Sequence, residues 1–163
     1  MTKTYYDTTS KGYDELHKYE QLNKLRIIKK HLDVDINDKL LDVGCGSGIS
    51  SDFDCVVIGI DPSVELLKIA KVKFPDKVFV KGVGEKLPFK DKSFDIVISI
   101  TAVHNFNNIK KGLQEIKRVG KDRFVLSILK KSNSFDRISK LINQNFNVDK
   151  IVEEDKDVIY FLS

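Results

Sequence analysis

Cysteine is scarce in this chain: Cys45 and Cys55 are the only two in 163 residues. Two thiols cannot make a disulfide framework or a cysteine-based metal site, so both are expected to be reduced thiols of a cytoplasmic protein. Long apolar runs are missing too. Nothing approaches the roughly 20 uninterrupted apolar residues that a membrane-spanning helix needs. Met1-Thr2-Lys3-Thr4-Tyr5-Tyr6-Asp7 also lacks the apolar stretch of a secretory leader. No repeat or low-complexity linker divides the chain. What is present, 41% hydrophobic and 32% charged residues, suits one packed core. A single domain over 1–163 is expected, with a cap and helix over 1–35 and a core over 36–163.

The net charge of +4 is unevenly spread. Residues 110–140 hold ten basic side chains against three acidic ones, whereas 1–60 and 141–163 are net acidic. Such a stretch suits a polyanion, whose phosphates supply affinity without sequence readout. It equally suits a solvated helix face.

Hydrophobic spacing gives the elements. Leu16, Leu22, Leu25, Ile28 and Leu32 predict a helix from Tyr13 to about His31. Short apolar runs at Lys39–Val43, Cys55–Ile60 and Phe94–Ile100 read as buried parallel strands. Lys77–Lys81 alternates charged and apolar residues, as an edge strand does. Pro62 is expected to open a helix through Phe74 with Asp61 as its N-cap. Asn108–Val119 and Ser134–Ile142 read as helices, Arg123–Leu129 as a strand, and Phe146–Val152 with Val158–Leu162 as a closing antiparallel pair. Alternating strands and helices require right-handed crossovers, hence a doubly wound, mostly parallel α/β sheet of seven strands.

Chemistry concentrates at Leu40-Leu41-Asp42-Val43-Gly44-Cys45-Gly46-Ser47-Gly48, followed by Gly59-Ile60-Asp61. Glycines after a strand let backbone amides approach a ligand, and a carboxylate after the next strand suits two ribose hydroxyls. The nicotinamide fingerprint needs Gly-x-Gly-x-x-Gly. Here the spacing is Gly-x-Gly-x-Gly, which favours S-adenosylmethionine (SAM). Between Gly48 and the second strand only six residues remain, so the helix there must be short. A third segment, Gly82-Val83-Gly84-Glu85-Lys86-Leu87-Pro88-Phe89, precedes Ser93-Phe94-Asp95-Ile96-Val97-Ile98-Ser99.

With these three segments in order, residues 5 to 130 resemble the small class I SAM-dependent methyltransferases of the methyltransferase type 11 kind. That group includes the ubiquinone/menaquinone C-methyltransferases and the tRNA wobble-uridine methyltransferases. The resemblance implies a Rossmann-like fold and SAM as donor, with S-adenosylhomocysteine as product. It implies that Gly44 and Gly46 face the methionine part, with Cys45 the small residue between them in the same cofactor-binding turn, and that Asp42 steadies its ammonium directly or through water. Asp61 would hold the ribose and Pro62 would lie on the adenine. Val83, Gly84, Glu85 and Ser99 fall on the same rim. Relatives of this type read Gly-Asp-Ala-Glu where this chain has Gly82-Val83-Gly84-Glu85. Valine cannot accept a bond from the adenine amino group, and an unmet buried donor costs on the order of 1–3 kcal/mol. Glu85 is left either to reach that group or to face water.

Tyr6 and Tyr13 resemble the aromatic cap of these enzymes, where a π face suits a sulfonium. Otherwise they are ordinary surface anchors. His104, just past the fourth strand, is the candidate for substrate contact or proton removal. An Asn-Pro-Pro-Tyr signature is absent there, which argues against adenine-N6 and glutamine-amide acceptors. The basic stretch 110–140 makes tRNA or rRNA the first expectation for the acceptor, ahead of a small molecule. Edge strand 77–81 is a candidate site for a small activator protein, as in related RNA methyltransferases. A SAM-binding regulatory or scaffold subunit without catalysis is the alternative.

Overall fold

The computed structural model describes residues 3–163, with side chains from Glu15 onward. Within these, four helices and seven strands follow one another as α1 (Lys3–His31), β1 (Lys39–Val43), β2 (Val56–Asp61), α2 (Val64–Lys73), β3 (Val78–Lys81), β4 (Phe94–Ile100), α3 (Ile109–Val119), β5 (Gly120–Leu129), α4 (Phe135–Asn145), β6 (Val148–Glu153) and β7 (Asp157–Leu162). The sheet order is β3-β2-β1-β4-β5-β7-β6. β1 to β5 pair in parallel, and β7 runs antiparallel between β5 and β6. This is the expected doubly wound sheet, closed by the expected hairpin.

Alternation along the strands builds a core on each face. Leu41, Val43, Val97, Leu126 and Ile128 point to the side covered by Leu113 and Ile116 of α3 and Ile138 and Ile142 of α4. Leu40, Ile96, Ile98 and Val125 point to the other side, under Leu25 and Ile28 of α1. α2 packs separately, with Leu67 and Ala70 against Cys45 and Phe79. The six residues after Gly48 form only one 3₁₀ turn, Ile49–Ser51, as their number dictates.

Several boundaries differ from expectation: α4 runs to Asn145 rather than Ile142, β6 starts at Val148 rather than Phe146, and three further cases have a physical cause. α1 begins at Lys3 rather than Tyr13, and its inward face includes buried Gln21 and Lys24, while Leu16 and Leu22 are exposed. Apolar spacing cannot register a helix whose buried face is partly polar. α2 is capped by Ser63, whose hydroxyl accepts from the Leu66 amide, not by Asp61. Asp61 is still in the β2 ladder, opposite Lys81. β5 starts at Gly120, directly after α3, rather than at Arg123.

Candidate cofactor site

The carboxyl ends of β1, β2 and β4 form a rim, and a cavity of about 740 Å³ opens there. β1 delivers the glycine turn, whose Gly44 and Cys45 amides donate to the Ile60 carbonyl at 2.8 and 3.1 Å. Gly44, Gly46 and Gly48 all have positive φ, which glycine adopts without strain. A side chain at Gly44 would also lie 2.5 Å from the Ala102 methyl, whereas Gly46 meets only Leu66 at 3.8 Å. Gly46 therefore presents bare backbone to the cavity. Its amide donates to Asp61 Oδ2 at 2.9 Å, and the Ser63 amide donates to Asp61 Oδ1 at 2.9 Å. Two backbone amides thus fix the carboxylate beside the turn, and each oxygen keeps a further lone pair for a ligand.

Gly44, Cys45, Gly46, Asp61, Pro62, Val83, Gly84 and Glu85 all line this cavity, so the structure brings eight of the expected residues together. Cys45 packs toward Gly59, and burial pushes its thiol pKa far up, so it fills space without reacting. Val83 is 43% exposed. Gly84 lies under the Phe106 ring. Glu85 is neither free in water nor open at both oxygens. Its Oε2 accepts from the Asn107 and Asn108 amides at 2.9 and 3.3 Å, holding the start of α3.

Three expected residues stand apart. Asp42 is fully buried below the turn, where the Ser50 and Ser51 hydroxyls donate to its Oδ2 at 2.6 and 2.7 Å. Desolvation raises its pKa to about 6 against those two bonds, with the Asp61 charge adding to the rise. Ser99 is also buried and donates to the Val43 carbonyl at 2.8 Å, tying β4 to β1 beneath the rim. His104 lies on the 3₁₀ turn Val103–Asn105, half-buried, and is not part of the cavity wall; Asn105, Phe106 and Asn107 are. Burial lowers its pKa, with Asp157 opposing and Lys24 adding to the effect. The side chains of Tyr6 and Tyr13 lie outside the described residues.

Several wall residues went unmarked in the sequence. His17, Lys18 and Gln21 of α1 and Ile69 and Lys73 of α2 complete the cavity. Polar residues at 17, 21 and 24 keep helical spacing with Ile28, and that polar continuation of an apolar face was the available signal. Burial first, and the Lys18 charge second, hold Lys73 below the usual lysine range.

Much of the basic stretch is already engaged. Arg118 pairs with Glu115 and Asp91 and donates to the Leu87 and Phe89 carbonyls. Arg123 pairs with Asp38, Lys121 pairs with Asp95, and Lys117 lies over the Phe124 and Phe146 rings. At the far end of the sheet β3 is an open edge. Among the described residues no helix is long and apolar enough to cross a membrane.

A cavity of this volume falls in the range that takes a nucleoside-sized ligand. The fold, the bare glycine turn and the amide-fixed carboxylate together define the class I methyltransferase architecture. Residues 41–127 match the family model described as a methyltransferase domain, and since they make up more than half of the chain, the chain belongs to that family. It is similar to the uncharacterized protein MJ1252 of Methanocaldococcus jannaschii, 42% identical over 74% of this chain and 47% of that one. It is also similar to the demethylmenaquinone methyltransferase of Chlorobaculum tepidum, 33% identical over 70% of this chain and 52% of that one. The chain spans about half the length of these curated relatives. Among solved structures, a SAM-dependent methyltransferase of Thermotoga maritima has the same fold, with a TM-score of 0.77 at 17% identity, covering 97% of this chain and 95% of that one. So does a chain of the Haloferax volcanii complex between the Trm112 methyltransferase activator and a methyltransferase, with a TM-score of 0.77 at 17% identity, covering 94% of each chain.

Proposed function

We propose that this chain is a SAM-dependent methyltransferase acting on a small molecule. One observation carries the reading: Asp61, fixed by the Gly46 and Ser63 amides, stands beside a glycine turn with open backbone in a cavity of nucleoside size. SAM when bound supplies a methyl group on a positively charged sulfur. The chain's task is then to bind and orient. Asp61 accepts from the ribose hydroxyls, Gly46 offers unobstructed backbone, and Pro62 and Val83 give the base an apolar resting place. Lys18 and Lys73 suit the donor's carboxylate. Positioning supplies most of the rate in such a displacement, and the proton that a quinol or phenol gives up on methylation passes to solvent water. His104, set off the cavity, is left to position Asn105–Asn107.

Two observations favour a small molecule over RNA as the acceptor. Arg118, Lys121 and Arg123 are already paired within the fold. A curated relative is named for demethylmenaquinone. The open β3 edge supports an activator partner, because Val72 of the adjoining α2 is 84% exposed and Val78 of β3 is 54% exposed. Val83 and the single turn after Gly48 favour the second reading, a SAM-binding subunit without catalysis.

Titration calorimetry with SAM and S-adenosylhomocysteine, followed by transfer of a labelled methyl group to a quinol or phenol panel and to fractionated cell extract, tests this. Binding with transfer supports the enzyme, binding without transfer to any extract fraction supports the subunit, and the absence of binding removes both. Asp61→Ala is expected to weaken SAM binding at least a hundredfold, since two hydrogen bonds to a charged acceptor are lost.

A further inference from the structure

Beneath the cavity wall lies a charged pair that does not itself line the cavity. Lys24 of α1 is 1% exposed and Asp157, first residue of β7, is 0% exposed. Lys24 Nζ stands 3.1 Å from Asp157 Oδ1 and donates to Thr101 Oγ1 at 2.9 Å. Thr101 Oγ1 in turn donates to Asp157 Oδ2 at 2.6 Å. A closed ring of three residues thus joins α1, the end of β4 and the start of β7.

Thr101 is the member that reaches the ligand space. It lines the cavity, and its φ of 53° is a left-handed conformation that a β-branched residue seldom adopts. Its amide is held there by the Ser127 hydroxyl at 2.9 Å and the Ser127 carbonyl at 3.0 Å. The next residue, Ala102, packs against the glycine turn at Gly44. On the helix side, Gln21 and His17 stand one and two turns before Lys24 and are themselves cavity wall. The ring therefore fixes both sides of the cavity at once. Stability alone does not call for it. A buried ion pair is generally no better than apolar residues of similar volume, and α1 already buries Leu25 and Ile28 on the sheet. A strained residue over-determined by its surroundings, located at a binding cavity, is where conformational cost is commonly stored.

We propose that Lys24 and Asp157 are positioning residues for the methyl donor: through Thr101 they hold α1 and the β4 rim at the separation the donor requires. The proposal rests on the donor assignment above, and two readouts separate its failure from that of the assignment. Hydrogen exchange of the amides at 17–23 reports the joint without ligand, and calorimetry with SAM reports its effect on binding.

The variants are K24M/D157L, which replaces both charges together, and the pair T101A and T101S, which differ by one hydroxyl. K24M/D157L is expected to melt within a few degrees of the parent, yet to exchange at 17–23 at least tenfold faster and to bind SAM at least tenfold more weakly. T101A is expected to follow it, and T101S to restore parental exchange and affinity. Parental exchange and affinity in K24M/D157L, or equal behaviour of T101A and T101S, would overturn the proposal. If K24M/D157L does not fold, the Thr101 pair decides alone. If the parent binds no SAM, the donor assignment falls, and exchange at 17–23 still judges the joint.

Discussion

Asp42 shows how far a single residue's surroundings can shift its chemistry. From its place in the sequence it is expected to meet the donor's ammonium, but two serines of the 3₁₀ turn take one oxygen, and Oδ1 is buried with no hydrogen-bond partner. The serines are six and seven residues beyond Gly44, and nothing in their spacing marks them as carboxylate ligands. A folded-state pKa of about 6 against the ordinary 3.8 means that the folded protein holds this proton more tightly than the unfolded chain. The resulting stability is fully present below about pH 4 and lost as pH rises through 6. A difference of about two in pKa corresponds to about 3 kcal/mol. Relative to Asp42→Asn, the parent should therefore gain up to about that much stability as pH falls from 7 to 4. Denaturant melts of the two proteins at both pH values measure it, and a constant difference would place the proton elsewhere. The place of Asp61, by contrast, was legible from sequence: a carboxylate ending the strand after a glycine turn falls on the same rim, and it lines the cavity beside that turn.

At the scale of elements, the seating of Phe106 connects α3 to the cavity. Its ring fits between Gly84 and Gly112; a Cβ on Gly112 would lie 2.2 Å from the ring, and one on Gly84 2.6 Å from it. Gly112 is interior to α3, where alanine is preferred by about 1 kcal/mol on propensity alone. Overpacking costs about 1–3 kcal/mol, so the clash wins. Gly112→Ala should lower stability by up to about 2 kcal/mol in denaturant melts. It should also weaken SAM at least fivefold in calorimetry, because the displaced ring borders the cavity. The sequence shows a glycine inside a helical pattern but not the ring that requires it. Strand and helix identity, on the other hand, were readable throughout, from short apolar runs for β1, β2 and β4 to the 3.6-residue spacing of α3. Boundaries failed where two signals adjoin, as at Asp61-Pro62-Ser63, where the strand keeps the aspartate and the serine takes the cap.

For the molecule as a whole, the uneven charge looks different once its partners are placed. Arg118 holds Glu115, Asp91 and two carbonyls, which is a stabilising role for the segment between β3 and β4. Arg118→Gln should cost about 1–2 kcal/mol, the range for charge-assisted bonds discounted for partial exposure. Lys110→Gln with Lys111→Gln should change stability by less than about 0.5 kcal/mol, as solvated substitutions do. For a small-molecule enzyme, tRNA retention should be weak and vanish by about 150 mM salt, where phosphate contacts are strongly screened. Retention that survives such salt and disappears in the double-glutamine protein would return RNA to first place. Counting charges along the sequence could not separate these roles, since Asp38, Asp91 and Asp95 are distant in the chain from their arginine and lysine partners.

The single 3₁₀ turn after Gly48 has a practical corollary. With so little chain between β1 and β2, the first long helix, through Leu25 and Ile28, covers much of one side of the interior. An expression product cut at residue 36 would leave Leu40, Ile96 and Ile98 bare to water and should precipitate. The amino-terminal helix is thus no removable accessory, and any tag, fusion or library must leave it in place.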